Sequence, residues 1–234
     1  MLLAKIKCNY YKFKTNKAYA RGNAEETLFW LERVYRTGVA KPNAITTYGY
    51  LLLKEGRLEE AMKIFQEQFN MPNISNTDYY NIKANYALGL WKQGKLEEAV
   101  ALLEKIIPDY KNTNIYGSLG YLYNLQGNLE KALKFNLEAS EYNSTGGVIL
   151  DNLGQTYYLM GDLAKAQETF KKLMALNPKF PEAYYDYALV LEKLGDKENA
   201  VAMLKDAQQH KINFLSAVTK EHIEAKLAQL AQLA

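Results

Sequence analysis

The spacing of six glycines constrains this chain more than any other feature. Gly22, Gly56, Gly94, Gly127, Gly161 and Gly195 follow one another at steps of 34, 38, 33, 34 and 34 residues. Small residues accompany them at fixed offsets. Seven residues before each glycine stand Thr15, Gly49, Ala87, Gly120, Gly154 and Ala188, and five after it stand Thr27, Ala61, Ala99, Ala132, Ala166 and Ala200. The large positions recur as well: Ala18, Leu52, Leu90, Tyr123, Tyr157 and Leu191 lie four before, and Leu31, Phe65, Leu103, Asn136, Phe170 and Leu204 nine after. Residues three and four apart share one face of a helix. Each unit therefore predicts two antiparallel helices, close at the small positions and joined by a tight turn at the glycine.

The stretch from Leu150 to Pro178 shows the pattern in full: Leu150, Leu153-Gly154, Tyr157, Gly161, Ala166, Phe170 and Pro178. Asn177-Pro178 predicts the end of the second helix, because proline disfavours helical geometry in the residue before it. This spacing resembles the tetratricopeptide repeat, whose signature places a large residue, Leu-Gly, Tyr, Ala, Phe and Pro at these offsets. The resemblance spans roughly Cys8 to Ile212. It implies an all-α, right-handed superhelical solenoid of about six antiparallel helix pairs, with repeats near 8–41, 42–75, 80–112, 113–146, 147–180 and 181–214. A capping helix is expected over 216–234, and the whole is read as one continuous solenoid over 1–234.

Departures from the pattern carry information. Lys14, Thr15 and Thr27 make the first unit degenerate, as terminal repeats often are. Asn136 replaces an aromatic residue in the fourth unit, which predicts a looser hairpin. Four residues are inserted around Met71 to Thr77.

Taken in order, residues 1–7 read as a short lead-in, followed by helices at 9–20 and 25–36. Pro42 suits a helix start with Asn43 as its cap, ahead of helices at 46–54 and 58–70. Thr77-Asp78 is expected to cap the third pair. Asn112-Thr113, Ser144 to Gly147 and Pro178 to Pro181 separate the later ones. In the tail, Ser216 or Thr219 caps a last helix whose Val218, Ile223, Leu227, Leu230 and Leu233 would cover the apolar end of the stack, which solenoids require. A second reading pairs that Leu-Ala-Gln tail with another molecule, so a homo-oligomer is an alternative.

Composition excludes little. Of 234 residues, 29 are basic and 26 acidic, and a net charge of +3 exerts no strong pull toward nucleic acid or anionic membrane. Basic residues interleave with aromatics only near the start, in Tyr10-Tyr11-Lys12-Phe13-Lys14, too small a footprint for nucleic-acid binding. No window approaches a membrane span, and Leu2 to Lys7 is not a signal sequence. The single cysteine, Cys8, leaves the redox compartment open. No metal-ligand spacing, phosphate loop or nucleophile elbow is present. The reading is therefore no catalysis, no metal and no cofactor. Paired acids such as Glu59-Glu60 and Glu97-Glu98 read as a solvated helix face.

Function is then expected in the groove. Stacked hairpins line a concave surface with their first helices, suited to an extended peptide or a partner helix. By the family resemblance, groove positions lie thirteen, ten, nine, six and three residues before each turn glycine. They give Lys12, Asn16 and Tyr19 in the first unit, Tyr50 in the second, and Asn85, Leu88 and Trp91 in the third. The fourth gives Tyr121 and Asn124, the fifth Asp151, Asn152, Gln155 and Tyr158, and the sixth Glu182, Tyr185 and Asp186. Asn9, Asn43, Asn81 and Asn114 read equally as helix caps. Asn85 and Asn152 sit inside helices, where asparagine is a poor choice, so they are assigned to binding. Asp151, Glu182, Asp186 and Glu192 have no basic residue in their set, so the partner is expected to be basic there. The carboxylate clamp of some family members is not matched. Lys12 and Asn16 fit it, but Thr47, Asn81 and Asn85 stand where an Asn, a Lys and an Arg would be.

Overall fold

The computed structural model describes residues 1–72 and 74–232, and within them the chain forms thirteen α-helices and no strand. It divides into two compact units, Met1–Ile106 and Ile107–Ala234. The first unit holds α1 (Leu2–Ala20), α2 (Ala24–Arg36), α3 (Pro42–Lys54), α4 (Leu58–Phe69), α5 (Asn76–Lys92) and α6 (Leu96–Ile106). The second holds α7 (Thr113–Gln126), α8 (Leu129–Tyr142), α9 (Gly147–Leu159), α10 (Leu163–Met174), α11 (Pro181–Lys193), α12 (Lys197–Ala207) and α13 (Lys220–Gln232). Consecutive odd and even helices pack as six hairpins. Within the units α3 also lies against α5, α7 against α9, and α9 against α11.

The turns follow from backbone sterics. All six register glycines have φ between 69° and 83°, a left-handed conformation that costs residues with a Cβ. The N–H after Gly22, Gly56, Gly94, Gly161 and Gly195 bonds back to the carbonyl four residues before the glycine, as Asp162 does to Tyr157 at 2.9 Å. This satisfies an orphan carbonyl at the helix end. The same residue opens the next helix. Asn23, Asn128, Asp162 and Asp196 each accept from the backbone N–H three residues on, as N-caps.

Between the helices, size is matched across the hairpin. A Cβ on Gly49 would lie 2.6 Å from Phe65, and one on Gly154 would lie 2.7 Å from Phe170. Both rings are completely buried. Where the small residue is Ala87 or Ala188 its counterpart shrinks to Leu103 or Leu204, also fully buried. Glycine thus pairs with phenylalanine, and alanine with leucine.

The fourth hairpin breaks the rule. A Cβ on Gly120 would meet Asn136 Oδ1, and Asn136, fully buried on α8, donates from Nδ2 to Thr156 Oγ1 of α9 at 2.9 Å. Asn136 Oδ1 has no hydrogen-bond partner, which costs about 1–3 kcal/mol. The missing ring is thus replaced by a polar tie to the next hairpin.

Several boundaries differ from the sequence reading. Helix α1 begins at Leu2, not Asn9, because Leu2 to Lys7 holds good helix formers and no breaker. Helix α3 begins at Pro42, its N-cap is Lys41, and Asn43 only lends its carbonyl to the Thr47 hydroxyl. Ser75, not Thr77-Asp78, caps α5 by accepting from Asp78 N–H. Asn112 caps α7, so Asn114 does not, while Asn9 and Asn81 lie within α1 and α5. Thr219 caps α13, its hydroxyl accepting from His222 N–H. Ser216 instead accepts from Asn213 N–H. Val218, Ile223 and Leu230 are buried in a core cluster with Ala200, Leu204 and Ala207. Leu233 lies outside the described residues.

The size matching predicts a coupled pair of substitutions. Gly154→Ala gains about 1 kcal/mol of helix propensity but overpacks the Phe170 ring by about 1–3 kcal/mol, so a net loss of up to about 2 kcal/mol is expected. In a Phe170→Leu background, which restores the alanine–leucine pairing of two other hairpins, the same change should be neutral or stabilising. Urea unfolding of the four proteins measures the coupling. Additive effects would show that the two positions do not share one space.

Candidate functional site

The second unit carries the most developed face, built by three first helices: α7, α9 and α11. Helical spacing puts Tyr121 and Asn124 on one side of α7, Asp151 and Gln155 one turn apart on α9, and Glu182 and Asp186 one turn apart on α11. Beneath them runs a network of amides. Asn152 Nδ2 donates to the Gly117 carbonyl at 2.7 Å, and Asn124 Nδ2 donates to the Asn152 carbonyl at 2.9 Å. The Thr156 hydroxyl lies 2.7 Å from both Asn124 Oδ1 and the Asn152 carbonyl. Asn152 is 1% exposed and Asn124 5%. These two asparagines knit α7 to α9 and do not stand on the surface as peptide contacts, which corrects the sequence reading. A mid-helix asparagine can answer a neighbouring helix as readily as a ligand.

Above the network stand the acids. Asp151 is only 6% exposed, and its Oδ1 has no hydrogen-bond partner. Asp186 Oδ2 accepts from Gln155 Nε2 at 3.2 Å. Burial, together with Asp186 and Glu182, holds the Asp151 carboxyl well above the usual carboxylate range. Burial and Glu182 push Asp186 up to about 7. Tyr121 is raised by burial first and then by the negative charge of Asp186, Glu182 and Asp151. Tyr158 and Tyr185 are raised by burial first and then by acids including Asp186 and Glu192. A cavity of about 120 Å³ beside Asp186 is lined by Gln155, Tyr158, Leu159, Phe170 and Leu189. Neither Leu159 nor Phe170 was among the expected groove residues; Phe170, expected as a packing residue, reaches the cavity from the second helix of its hairpin.

Two of the expected acids are engaged within the fold. Glu192 pairs with Lys226 of α13 at 3.0 Å, and Glu182 Oε1 accepts from Ala217 N–H at 2.9 Å. Lys226 lies 34 residues beyond Glu192, and no repeat spacing pointed to it. The basic residue absent from the groove positions thus arrives from the terminal helix, which revises the expectation of an unopposed acid row.

The first unit holds the remaining expected residues. Lys12, Asn16 and Tyr19 lie on α1, with Tyr19 75% exposed. Tyr50 is half-buried on α3, where burial raises its phenol. Asn85, Leu88 and Trp91 lie on α5. The Asn85 amide donates at 2.7 Å to the Asn81 carbonyl one turn back, so part of its hydrogen bonding is spent within its own helix. A larger cleft of about 380 Å³ lies between α1 and α2, bordered by Lys7, Tyr11, Arg33 and Arg36. Neither of the orphaned buried atoms found among the described residues lies in it. Among the described residues no group of acids, histidines and cysteine is arranged to hold a metal ion, and no helix is long and apolar enough to cross a membrane.

Comparison with known proteins accounts for the register. Residues 86–144 and 157–211 each match a family model described as tetratricopeptide repeat, and residues 20–106 match one described as anaphase-promoting complex, cyclosome, subunit 3. The chain belongs to the tetratricopeptide-repeat family. It is 29% identical over 134 residues to the TPR repeat-containing proteins MJ1428 of Methanocaldococcus jannaschii and YvcD of Bacillus subtilis. These matches cover 54% and 57% of this chain but only 24% and 28% of those proteins, so the chain spans about a quarter of their length. Solved structures agree on the fold, an all-α tetratricopeptide solenoid. The thermophilic TPR protein TTC0263 of Thermus thermophilus superposes with a TM-score of 0.64 at 20% identity, over 82% of this chain and 100% of that one. Pseudomonas aeruginosa pilF gives 0.64 at 13% identity, over 96% and 99%. The Cut9–Hcn1 hetero-tetramer of the APC/C gives 0.69 at 14% identity, over 97% of this chain and 40% of that one.

The acids of this tetratricopeptide chain make its stability depend on pH. Asp186 has a folded pKa of about 7, against about 4 when unfolded. Its stabilising contribution is therefore complete below about pH 4 and lost as pH rises through about 7. Asp186→Asn keeps a neutral group at every pH. It should leave the melting temperature near pH 4 unchanged and raise it at pH 8, by roughly 2–4 °C for each kcal/mol recovered. Thermal melts from pH 4 to 8 read this directly. Parallel curves for the two proteins would show that Asp186 titrates as it does in water.

Proposed function

We propose that the chain is a protein-interaction scaffold that captures a peptide segment or a partner helix on the face of α7, α9 and α11, by non-covalent contact alone. One observation carries the reading. A buried carboxylate with an orphaned oxygen, Asp151, feels the charge of Asp186 and bears on the phenol of Tyr121, while Asp186 bears on those of Tyr158 and Tyr185. Tyrosines bring large contact area with few rotatable bonds, as binding hot spots require. Acids without a cationic partner favour a basic ligand at this end of the chain.

The test is selection of binders from a random dodecapeptide library on the immobilised full chain. Enriched peptides should be basic. Tyr121→Ala should weaken the best of them by roughly tenfold or more, and Asp186→Lys should weaken it and reduce the salt dependence of its affinity. Failure to enrich any peptide, or indifference to both substitutions, would remove the proposal.

Self-assembly is the second reading. It draws on α1, where Leu3, Ile6, Tyr10 and Phe13, all more than half exposed, recur at spacings that share one helical face. Sedimentation of the full chain against a Leu3→Gln, Ile6→Gln, Phe13→Gln variant separates the two. An oligomer lost in the variant supports assembly through α1, and a monomer in both eliminates it.

A further inference from the structure

We propose that Asp151 and Asp186, with Glu182 adding negative charge, form a socket for one cationic side chain of the captured peptide, a lysine ammonium or an arginine guanidinium. This rests on the reading of the α7–α9–α11 face as a peptide-binding surface, and it names what that surface reads.

Asp151 is costly where it stands. A residue only 6% exposed whose buried carboxyl oxygen has no partner is expensive unless a donor reaches it. Gln155 spends its amide N–H on Asp186, and the charges that bear on Asp151 are Asp186 and Glu182, both on α11. The titratable groups that feel these acids are Tyr121 on α7, under the charge of Asp151, Asp186 and Glu182, and Tyr158 on α9 and Tyr185 on α11, under that of Asp186 and Glu192. Helix α13 brings Lys226, but its ammonium is held by Glu192 and Gln229. A donor from outside the chain completes the arrangement.

Shape and chemistry narrow the donor. The described acids do not converge as a metal site requires, so the ligand is one that offers N–H groups. The small cavity beside Asp186 has Leu159, Phe170 and Leu189 in its wall, an apolar lining suited to the methylene stem of a lysine or arginine while its head reaches Asp186. Tyrosine rings near the acids add attraction for a cation over their faces. Binding also has a proton balance. With Asp186 at about 7 and Asp151 raised as well, the empty socket is partly protonated at neutral pH, and an entering cation displaces the proton.

The test uses the full chain and three small probes: Nα-acetyl-lysine methylamide, Nα-acetyl-arginine methylamide and, as an uncharged control, Nα-acetyl-norleucine methylamide. Titrations are followed by amide chemical shifts in NMR. Saturable shifts centred on Asp151, Gln155 and Asp186 for a cationic probe but not the control are expected. Affinity should fall by about tenfold from pH 8 to pH 6 as Asp186 takes up its proton. Asp151→Asn and Asp186→Asn, checked for fold by the same spectra, should each abolish the preference for the cationic probes. Equal response to all three probes, or none to any, overturns the socket. That failure is distinct from failure of the broader proposal, in which the cationic probes bind here while no peptide is enriched.

Discussion

The close approach of the two helices in each hairpin is the constraint on which the rest depends. It requires a reversal within two or three residues, which a left-handed glycine provides, and it requires one helix to give up volume where the other gains it. Gly154 against the ring of Phe170 shows the second condition at its tightest. Because the first helix of each hairpin is thus fixed against its partner, its other side is free to meet the first helix of the next hairpin. The contacts of α7 with α9 and of α9 with α11 arise in this way. A face with side chains from three helices follows from a packing rule that never refers to it.

The fourth hairpin shows how a local exception reaches its neighbours. With asparagine in place of a ring at Asn136, the core between α8 and α9 turns polar, and Thr156 links it to Asn124. A polar core specifies its partners more narrowly than an apolar one, since each amide must find an acceptor. Asn124 and Asn152 find theirs on backbone carbonyls of α9 and α7. The result is a first-helix layer whose register is set by directed bonds, beneath the acids that the layer holds.

The hairpin register was legible from sequence because glycine and alanine mark steric necessities that no other residue meets. The turn caps at Asn23, Asn128, Asp162 and Asp196 sit one residue after each glycine, within reach of the same reasoning. What escaped it was any feature decided at long range. Whether Asn152 faces a ligand or the Gly117 carbonyl depends on a helix 35 residues away, and propensity alone cannot choose. Lys226 closes on Glu192 only because α13 folds back across the last hairpin. The beginning of α1 was lost for a different reason: Leu2 to Lys7 lies outside the repeat, so the register made no statement about it, although ordinary helix propensity did.

The contrast between amides and carboxyls on this face bears on its purpose. Asn124, Asn152 and Gln155 each donate to an acceptor within the chain, so the fold is able to satisfy buried polarity there. Asp151 sits among them with an orphaned oxygen, and Asp186 and Glu182 press on it with like charge. An asparagine at that position would lack the charge, and a leucine would lack the desolvation cost. Stability alone therefore gives no reason for an acid there. Under the proposed capture, an incoming cation supplies one, since the charge pairing it brings is available to the complex and withheld from the free chain.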